Sequence, residues 1–219
     1  MSSAPNAPRL LKGGLVLIDA GSSAVQRIIT LQYNPDTLSR TLQTQSFSAG
    51  SEGGNRSEAL RLKGPPIETI KLDAEIDATD QMEVGDSQTA QTGIHAQLAA
   101  LETIVYPTSD QLIGNNTLAQ SGTLEIAPME ALLTLFVWSK NRILPVRITD
   151  FSITEEAFDP HLNPIRAKVS LSLRVLSVDD LGFDTKGGSL FMIYQQQKEQ
   201  LAKQNRSGGL SALGIGGIP

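Results

Sequence analysis

Apolar and polar residues alternate most regularly between Ile165 and Val175, where every second side chain is apolar and Arg, Lys or Ser stands between. This period predicts a strand with one buried face and one wet face. The segment Ile143–Phe158 also predicts a long strand, but its apolar positions change face after Ile148, which indicates a bulge or burial on both faces. Residues 159–164 contain two prolines, so the two segments together predict a long antiparallel hairpin.

The same reasoning predicts further elements along the chain. Strands are expected at Leu133–Trp138, Leu15–Ile18, Val25–Tyr33, 38–48 and Ile67–Ala78. The strand at 38–48 is unusually polar, which is typical of a sheet edge or an assembly surface. One helix face is predicted by Ile94, Leu98, Leu101 and Val105, ending at Pro107, and Ser189–Asn205 predicts a C-terminal helix.

The predicted fold is therefore mainly β, with some α + β character. We expect an antiparallel β-barrel or sandwich with a long hairpin, one central helix and a C-terminal helix. Residues 1–10 are interpreted as a flexible arm, 11–185 as the barrel domain and 186–219 as a helix with a Gly-rich tail. Two polar insertions are expected at 48–66 and 107–127, the second turning at Gly114–Asn116.

Composition excludes several classes of protein. Apolar residues make up 40% of the 219 residues, which is enough for a core, although aromatic residues are only 5%. The chain has no cysteine, so disulfides and thiolate ligands are excluded. A net charge of -5 argues against a nucleic-acid binder, and no apolar run is long enough to span a membrane.

Candidate chemistry is weak. Neither His95 nor His161 lies in a nucleophile motif. Asp73, Glu75 and Asp77 are similar to the start of a calcium loop, but Ala78 and Val84 stand where that loop needs Gly and Glu. The sequence thus predicts no catalytic residue, no cofactor site and no metal site.

Three segments resemble a known family. They are FVWSKNRILPVRITDFSITEEAFDPHLNPIRAKVSLSLRVL at 136–176, LQYNPDTLSR at 31–40 and LAALETIVYP at 98–107. Together they resemble proteins of contractile injection systems, the phage-tail-like particles made by bacteria. The resemblance covers roughly residues 10–200.

The resemblance implies a tube-protein-like β-barrel that forms a homo-hexameric ring in the baseplate, between the inner tube and the trimeric spike. Such a protein is structural, and its partners are the inner tube or a tube-initiator protein, the spike and other baseplate subunits. It would assemble in the cytoplasm into a particle that is either released or docked at a membrane. Many family members carry a C-terminal LysM module. After residue 188 this sequence instead predicts a helix and a Gly-rich tail, so the Gln-rich helix or another subunit is expected to replace that module's contacts.

A closed ring needs two different faces of each subunit to meet, and edge strands supply such contacts. We expect the polar strand 38–48 as the edge, the hairpin loop 159–164 as an arm, and the acidic face 73–77 opposite basic residues of a neighbour or along the lumen. The candidate interface residues are Tyr33, Asn34, Pro35, Arg40, Asp73, Glu75, Asp77, Asp159, Pro160, Asn163, Pro164, Arg166, Lys168 and Arg174.

Three alternatives remain at this stage. An inner-tube protein stacked in many rings ranks second, because tube proteins are usually shorter and lack such insertions. A free-standing ligand-binding β-barrel would be monomeric. A cell-wall hydrolase ranks lowest, since no paired acid, nucleophile or metal cluster is evident.

Overall fold

A computed structural model describes residues 11–45, 62–83, 85–122, 131–205 and 208–218, apart from the side chain of Asp80. Seven strands are present in this part of the chain: β1 (Gly14–Ile18), β2 (Val25–Thr30), β3 (Leu38–Gln43), β4 (Ile67–Asp77), β5 (Leu133–Ser139), β6 (Arg142–Phe158) and β7 (Pro164–Val175). The helices are α1 (Thr79–Glu83), α2 (Ser87–Thr92), α3 (His95–Glu102), α4 (Ser109–Gln120), α5 (Val178–Leu181) and α6 (Lys186–Gln204), followed by a 3₁₀ turn at Leu210–Leu213.

The strands form one antiparallel sheet in the order β2-β1-β5-β6-β7-β4-β3. This confirms the predicted fold class, and the hairpin β6–β7 lies at its centre as expected. Among the described strands no ladder joins β2 to β3, so these two strands are the sheet's edges. The polar strand predicted at an edge is β3, although it ends at Gln43 and not near residue 48.

The predicted irregularity in β6 is real. The register with β7 skips Thr149, because Ile148 pairs with Leu173 and Asp150 pairs with Ser172. The Thr149 hydroxyl donates to the backbone oxygen of Ser172 at 3.1 Å, which satisfies an acceptor at the bulge. The bulge explains how apolar side chains on both sides of residue 149 reach the core.

The main core lies between one side of the sheet and the helices α3 and α6. Alternate residues of β4 and β7 supply its largest share, including Ile70, Val169 and Leu173, which are fully buried. The predicted helix stripe is confirmed for Ile94, Leu98 and Leu101, which are buried in the same cluster. The predicted C-terminal helix is α6, and it adds Phe191 and Tyr194 to this core.

Several helical expectations were wrong. The expected turn at Gly114–Asn116 lies inside α4, because Thr108 and Gln111 form a reciprocal capping box that starts a helix there. The helix α3 ends at Glu102, so Val105 is outside it and 44% exposed. Residues 79–92 contain the short helices α1 and α2. The described residues between β4 and β5 thus form four helices, where one central helix was expected.

Some expectations concern residues outside the described ranges. The arm at 1–10, residues 48–61 of the first insertion and residues 123–127 of the second lie there.

The strand β2 was expected to reach Tyr33 but ends at Thr30. The next residue, Leu31, lies outside the strand, and its N–H donates to the Gly13 oxygen. No helix in the described ranges is long and apolar enough to cross a membrane.

Candidate subunit-assembly surface

The two edge strands differ in what they expose. On β2, Val25 and Ile28 are 57% and 63% exposed, and on β3 Leu42 is 49% exposed. An edge strand carries backbone N–H and C=O groups that no neighbouring strand of its own sheet uses. Apolar side chains on such strands favour pairing with another chain. The polar residues of β3 predicted an edge, whereas the apolar residues of β2 predicted only a strand.

The outer edge of β2 approaches β4 without pairing with it. Just after β2, the Gln32 side chain bonds to the backbone of Asp77 in both directions. A cavity of about 380 Å³ remains beside this contact, lined by β2, β4 and α3. Arg27 of β2 spans the opening and donates to the backbone oxygen of Ala100 on α3 at 3.2 Å. The sheet is therefore curled until its edges are close, but side chains and not a ladder bridge the gap.

The acidic and basic residues proposed to meet across a subunit boundary are adjacent within one chain. The register of β4 and β7 places Asp77 opposite Arg166, and the Arg166 guanidinium donates to Asp77 at 2.8 Å. The ammonium of Lys168 lies 2.9 Å from Glu156, and Arg174 donates to Asp180 at 2.7 Å. All three basic residues thus have a carboxylate partner in their own chain.

The protonation of this cluster follows from its hydrogen bonds. Bonds from the Thr79 hydroxyl and backbone N–H, with a further one from Arg166, hold the pKa of Asp77 below its usual value. The Asp77 carboxylate in turn raises the pKa of Arg166, and Glu156 raises the pKa of Lys168. Asp77, Arg166 and Lys168 therefore stay charged across the neutral pH range. Asp73 is exposed, and in the described residues it makes no ion pair.

Residues 33–35 form part of a corner that holds the start of β1. The Asn34 side chain accepts from the Gly13 backbone N–H at 2.9 Å and donates to the Leu11 oxygen at 2.8 Å. Tyr33 is 47% exposed and Pro35 is half-buried beside it. The Asn34 side chain therefore holds the chain in place just before β1, whereas Tyr33 is exposed and can contact another subunit.

The hairpin loop is anchored at its base and exposed at its tip. The Asp159 carboxylate accepts from the backbone N–H groups of His161 at 2.7 Å and Asn163 at 2.9 Å. Asn163 also donates to the Gln91 oxygen on α2, and the Ile94 N–H donates to the oxygen of buried Pro164. Pro160 and His161 are both exposed at the tip. The loop is thus tied to α2 and α3, and only its tip projects as an arm would.

Arg40 differs from the other candidate residues because its partner is buried. Its guanidinium lies 2.6 Å from Glu68, which is almost fully buried, and donates to the Tyr194 hydroxyl at 3.0 Å. Burial by itself lowers the pKa of Arg40, but the bond and charge of Glu68 raise it overall. Arg40 therefore joins edge strand β3 to β4 through its ion pair with Glu68, and to α6 through its hydrogen bond to Tyr194.

Among the described residues, no group of three or more His, Asp or Glu side chains is placed to hold a metal ion. His95 and His161 are both exposed. The described sheet is open and curled, and both of its edge strands carry exposed apolar side chains.

No curated protein matches this sequence. Residues 18–181 do match a protein family described as contractile injection system tube protein. The match agrees with the resemblance at the level of the injection system, and it does not separate a baseplate adaptor from a tube subunit. Because it covers well over half of the chain and includes every strand but part of β1, this protein belongs to the contractile injection system tube protein family.

Proposed function

We propose that this protein is a structural, non-enzymatic subunit that forms a homo-hexameric ring in which β2 of one copy pairs with β3 of the next. The observation that carries this proposal is the open sheet, whose two different edges lie at opposite ends of the strand order. Pairing unlike edges gives a heterologous contact, and such contacts close into rings when the rotation between copies permits. Backbone pairing supplies affinity without needing special side chains.

For the place of this ring, we propose the adaptor position between the inner tube and the trimeric spike, with the tube and other baseplate subunits as neighbours. The sequence resemblance described above supports this position. A second candidate is an inner-tube subunit repeated in many stacked rings, and the match to the tube protein family favours it directly. Both candidates use the same edge-to-edge ring.

The ring is tested by placing a charge on the β2 edge. Ile28→Lys should abolish ring formation, because pairing between copies at β2 would cover this exposed side chain and leave its ammonium without a partner. Leu112→Lys is the matched control, since Leu112 is similarly exposed but lies on α4, away from both edges. Native mass spectrometry and electron microscopy give the oligomeric state, and circular dichroism shows that both variants fold. Rings that persist in Ile28→Lys, or that are lost equally in Leu112→Lys, would contradict the proposal.

The adaptor and tube candidates are separated by copy number. Quantitative mass spectrometry of purified particles should find a single ring's worth of this chain for an adaptor. A tube subunit should instead be present in many rings, in proportion to particle length. Cryo-electron microscopy of the same particles gives the position of the ring along the axis, so the two measurements check each other.

A further inference from the structure

A cavity lies between β3, the β5–β6 turn and α6. It has a volume of about 370 Å³, and its lining includes Arg40, Trp138, Asn141, Arg142, Tyr194 and Lys198. We call it the α6 pocket. It joins three elements that are far apart in the sequence, and it opens beside the edge strand β3.

The α6 pocket concentrates positive charge in an acidic protein. Three cations line it, Arg40, Arg142 and Lys198, whereas the chain carries a net charge of -5. One of them, Arg40, is neutralised by buried Glu68. Among the described residues, neither Arg142 nor Lys198 has a carboxylate within ion-pair distance. Positive charge in the pocket is therefore in excess of its internal partners.

Lys198 is the clearest sign of a missing partner. Its ammonium lies 4.4 Å from the centre of the Tyr194 ring, and this cation–π contact is its main interaction in the described structure. Burial lowers the pKa of Lys198, and the carboxylate whose charge opposes this effect, Glu68, is already bonded to Arg40. A carboxylate entering the pocket would restore the balance.

The walls of the pocket are already held in place. Arg40 is held by its bond to Glu68, and it donates a second hydrogen bond to the Tyr194 hydroxyl at 3.0 Å. Trp138 is stacked on Phe136, with ring centres 5.9 Å apart. A site whose side chains are fixed in advance loses little conformational entropy on binding.

We propose that the α6 pocket binds the carboxylate of an aspartate or glutamate presented by a neighbouring protein subunit, with Lys198 and Arg142 as the ion-pair partners. Charge complementarity supports this occupant, because a chain with 23 acidic and 18 basic residues offers many carboxylates on its copies. Its position supports it too, since Arg40 lies on the β3 edge that pairs with the next copy under the proposed function. The inference rests on that function only for the identity of the subunit that presents the acid.

Trp138 makes the proposal measurable, because it is the only tryptophan in the chain. The full-length protein is titrated at low salt with poly-L-glutamate, and in parallel with inorganic phosphate and with phosphatidylglycerol vesicles, while tryptophan fluorescence is followed. Poly-L-glutamate should give a saturable change. Lys198→Gln and Arg142→Gln should each weaken it about tenfold, the usual effect of losing one charge-assisted hydrogen bond.

Two further variants serve as controls. Lys203→Gln removes the same charge from the same helix at an exposed position outside the pocket, and it should leave the titration unchanged. Lys198→Arg keeps the charge and should retain most of the binding, which separates loss of charge from loss of folding. Arg142 makes no ion pair in the described chain, so its replacement gives a second variant with an intact fold.

The proposal is overturned if poly-L-glutamate gives no saturable change, or if Lys203→Gln weakens it as much as Lys198→Gln. Equal or stronger binding of phosphate identifies a free-anion site, and a response only to vesicles identifies a lipid surface; either result overturns the assignment to a protein carboxylate. The fluorescence titration does not depend on ring formation. A chain that binds poly-L-glutamate but forms no rings contradicts the proposed function alone, and a chain that forms rings without this binding contradicts the pocket alone.

Discussion

The side-chain amide of Gln32 pairs with the backbone of Asp77 as a peptide group would. Its Nε2 donates to the Asp77 oxygen at 2.6 Å, and its Oε1 accepts from the Asp77 N–H at 2.9 Å. Gln32 follows β2, whereas Asp77 ends β4, which lies near the opposite edge of the sheet. One side chain thus replaces part of a missing ladder and keeps the curled sheet closed at this corner.

Replacing Gln32 by Ala should lower the free energy of unfolding by about 2 kcal/mol, since two partly buried hydrogen bonds are lost at about 1 kcal/mol each. Urea denaturation measures this change, and hydrogen exchange should show faster opening at the Asp77 amide. Gln26→Ala is the control, because Gln26 is an exposed residue of β2. A Gln32 variant as stable as the Gln26 variant would show that this corner is not closed by the amide.

Replacing Arg40 by Met should lower the free energy of unfolding by about 3 kcal/mol, because Glu68 would be left buried without a cation. Chemical denaturation at neutral pH measures it. Arg147→Met, which removes an exposed arginine from β6, should cost far less. The double variant Arg40→Met, Glu68→Met should recover most of the loss, since no charge remains buried. Additive losses in the double variant would contradict this account of the ion pair.

Two glycines should respond in opposite directions to replacement by Ala. Gly93 has φ of +56° and an added Cβ would lie 2.2 Å from the Pro164 oxygen, so Gly93→Ala should cost at least about 2 kcal/mol. Gly114 lies within α4 with open space around its Cα, so Gly114→Ala should add about 0.5 to 1 kcal/mol to the stability of that helix.

Thermal unfolding followed by circular dichroism measures both glycine variants. The pair also checks the structure of residues 109–120, where a turn was expected. If Gly114→Ala lowered the melting temperature, a turn at that position would be the better description, because Ala disfavours the conformations that glycine allows in turns.

Acid should weaken the hairpin loop through Asp159. Hydrogen bonds from Asn163, and a further one from the His161 backbone, hold the pKa of Asp159 below its usual value of 3.8. The folded pKa is lower than the unfolded one, so this contribution to stability is full above about pH 4 and is lost as the pH falls through the folded pKa. Asp159→Asn should therefore show a smaller loss of stability than the parent between about pH 5 and pH 2.

Urea midpoints measured across that pH range test the prediction, and carboxyl NMR titration gives the pKa of Asp159 directly. Asp150→Asn, an exposed change of equal charge on β6, is the control for net charge. If the acid dependence of Asp159→Asn and of Asp150→Asn were the same, the loop would not be the origin of the effect.

Some elements could be predicted because their signal is local. The alternation at 165–175 and the change of face after Ile148 are written in consecutive residues, and both the strand and the bulge are present. Helix α4 was missed because its signal is weak: no residue in it is buried, and it starts from the Thr108–Gln111 capping box. A Gly-Asn-Asn run inside such a helix looks like a turn when only local preference is considered.

For the candidate interface as well, the sequence indicated the charged residues but not their contacts. The sequence suggested Asp77, Arg166, Lys168 and Arg174 as residues of a subunit interface. Their partners could not be chosen from the sequence, because these depend on how β7 pairs with β4 and β6 and on where α5 lies. Several of these groups are consequently satisfied inside one chain, where a contact between copies was expected.

By itself the sequence determined the strands, the antiparallel class and the family, since apolar periodicity and family motifs need only neighbouring residues. Only the tertiary structure shows that β2 is the second edge, that Gln32 closes the curl beside Asp77, and that Arg40, Arg142 and Lys198 share one pocket. These features depend on strand order and on contacts between residues far apart in the chain. Such contacts form only when the whole sheet folds, so no local pattern contains them.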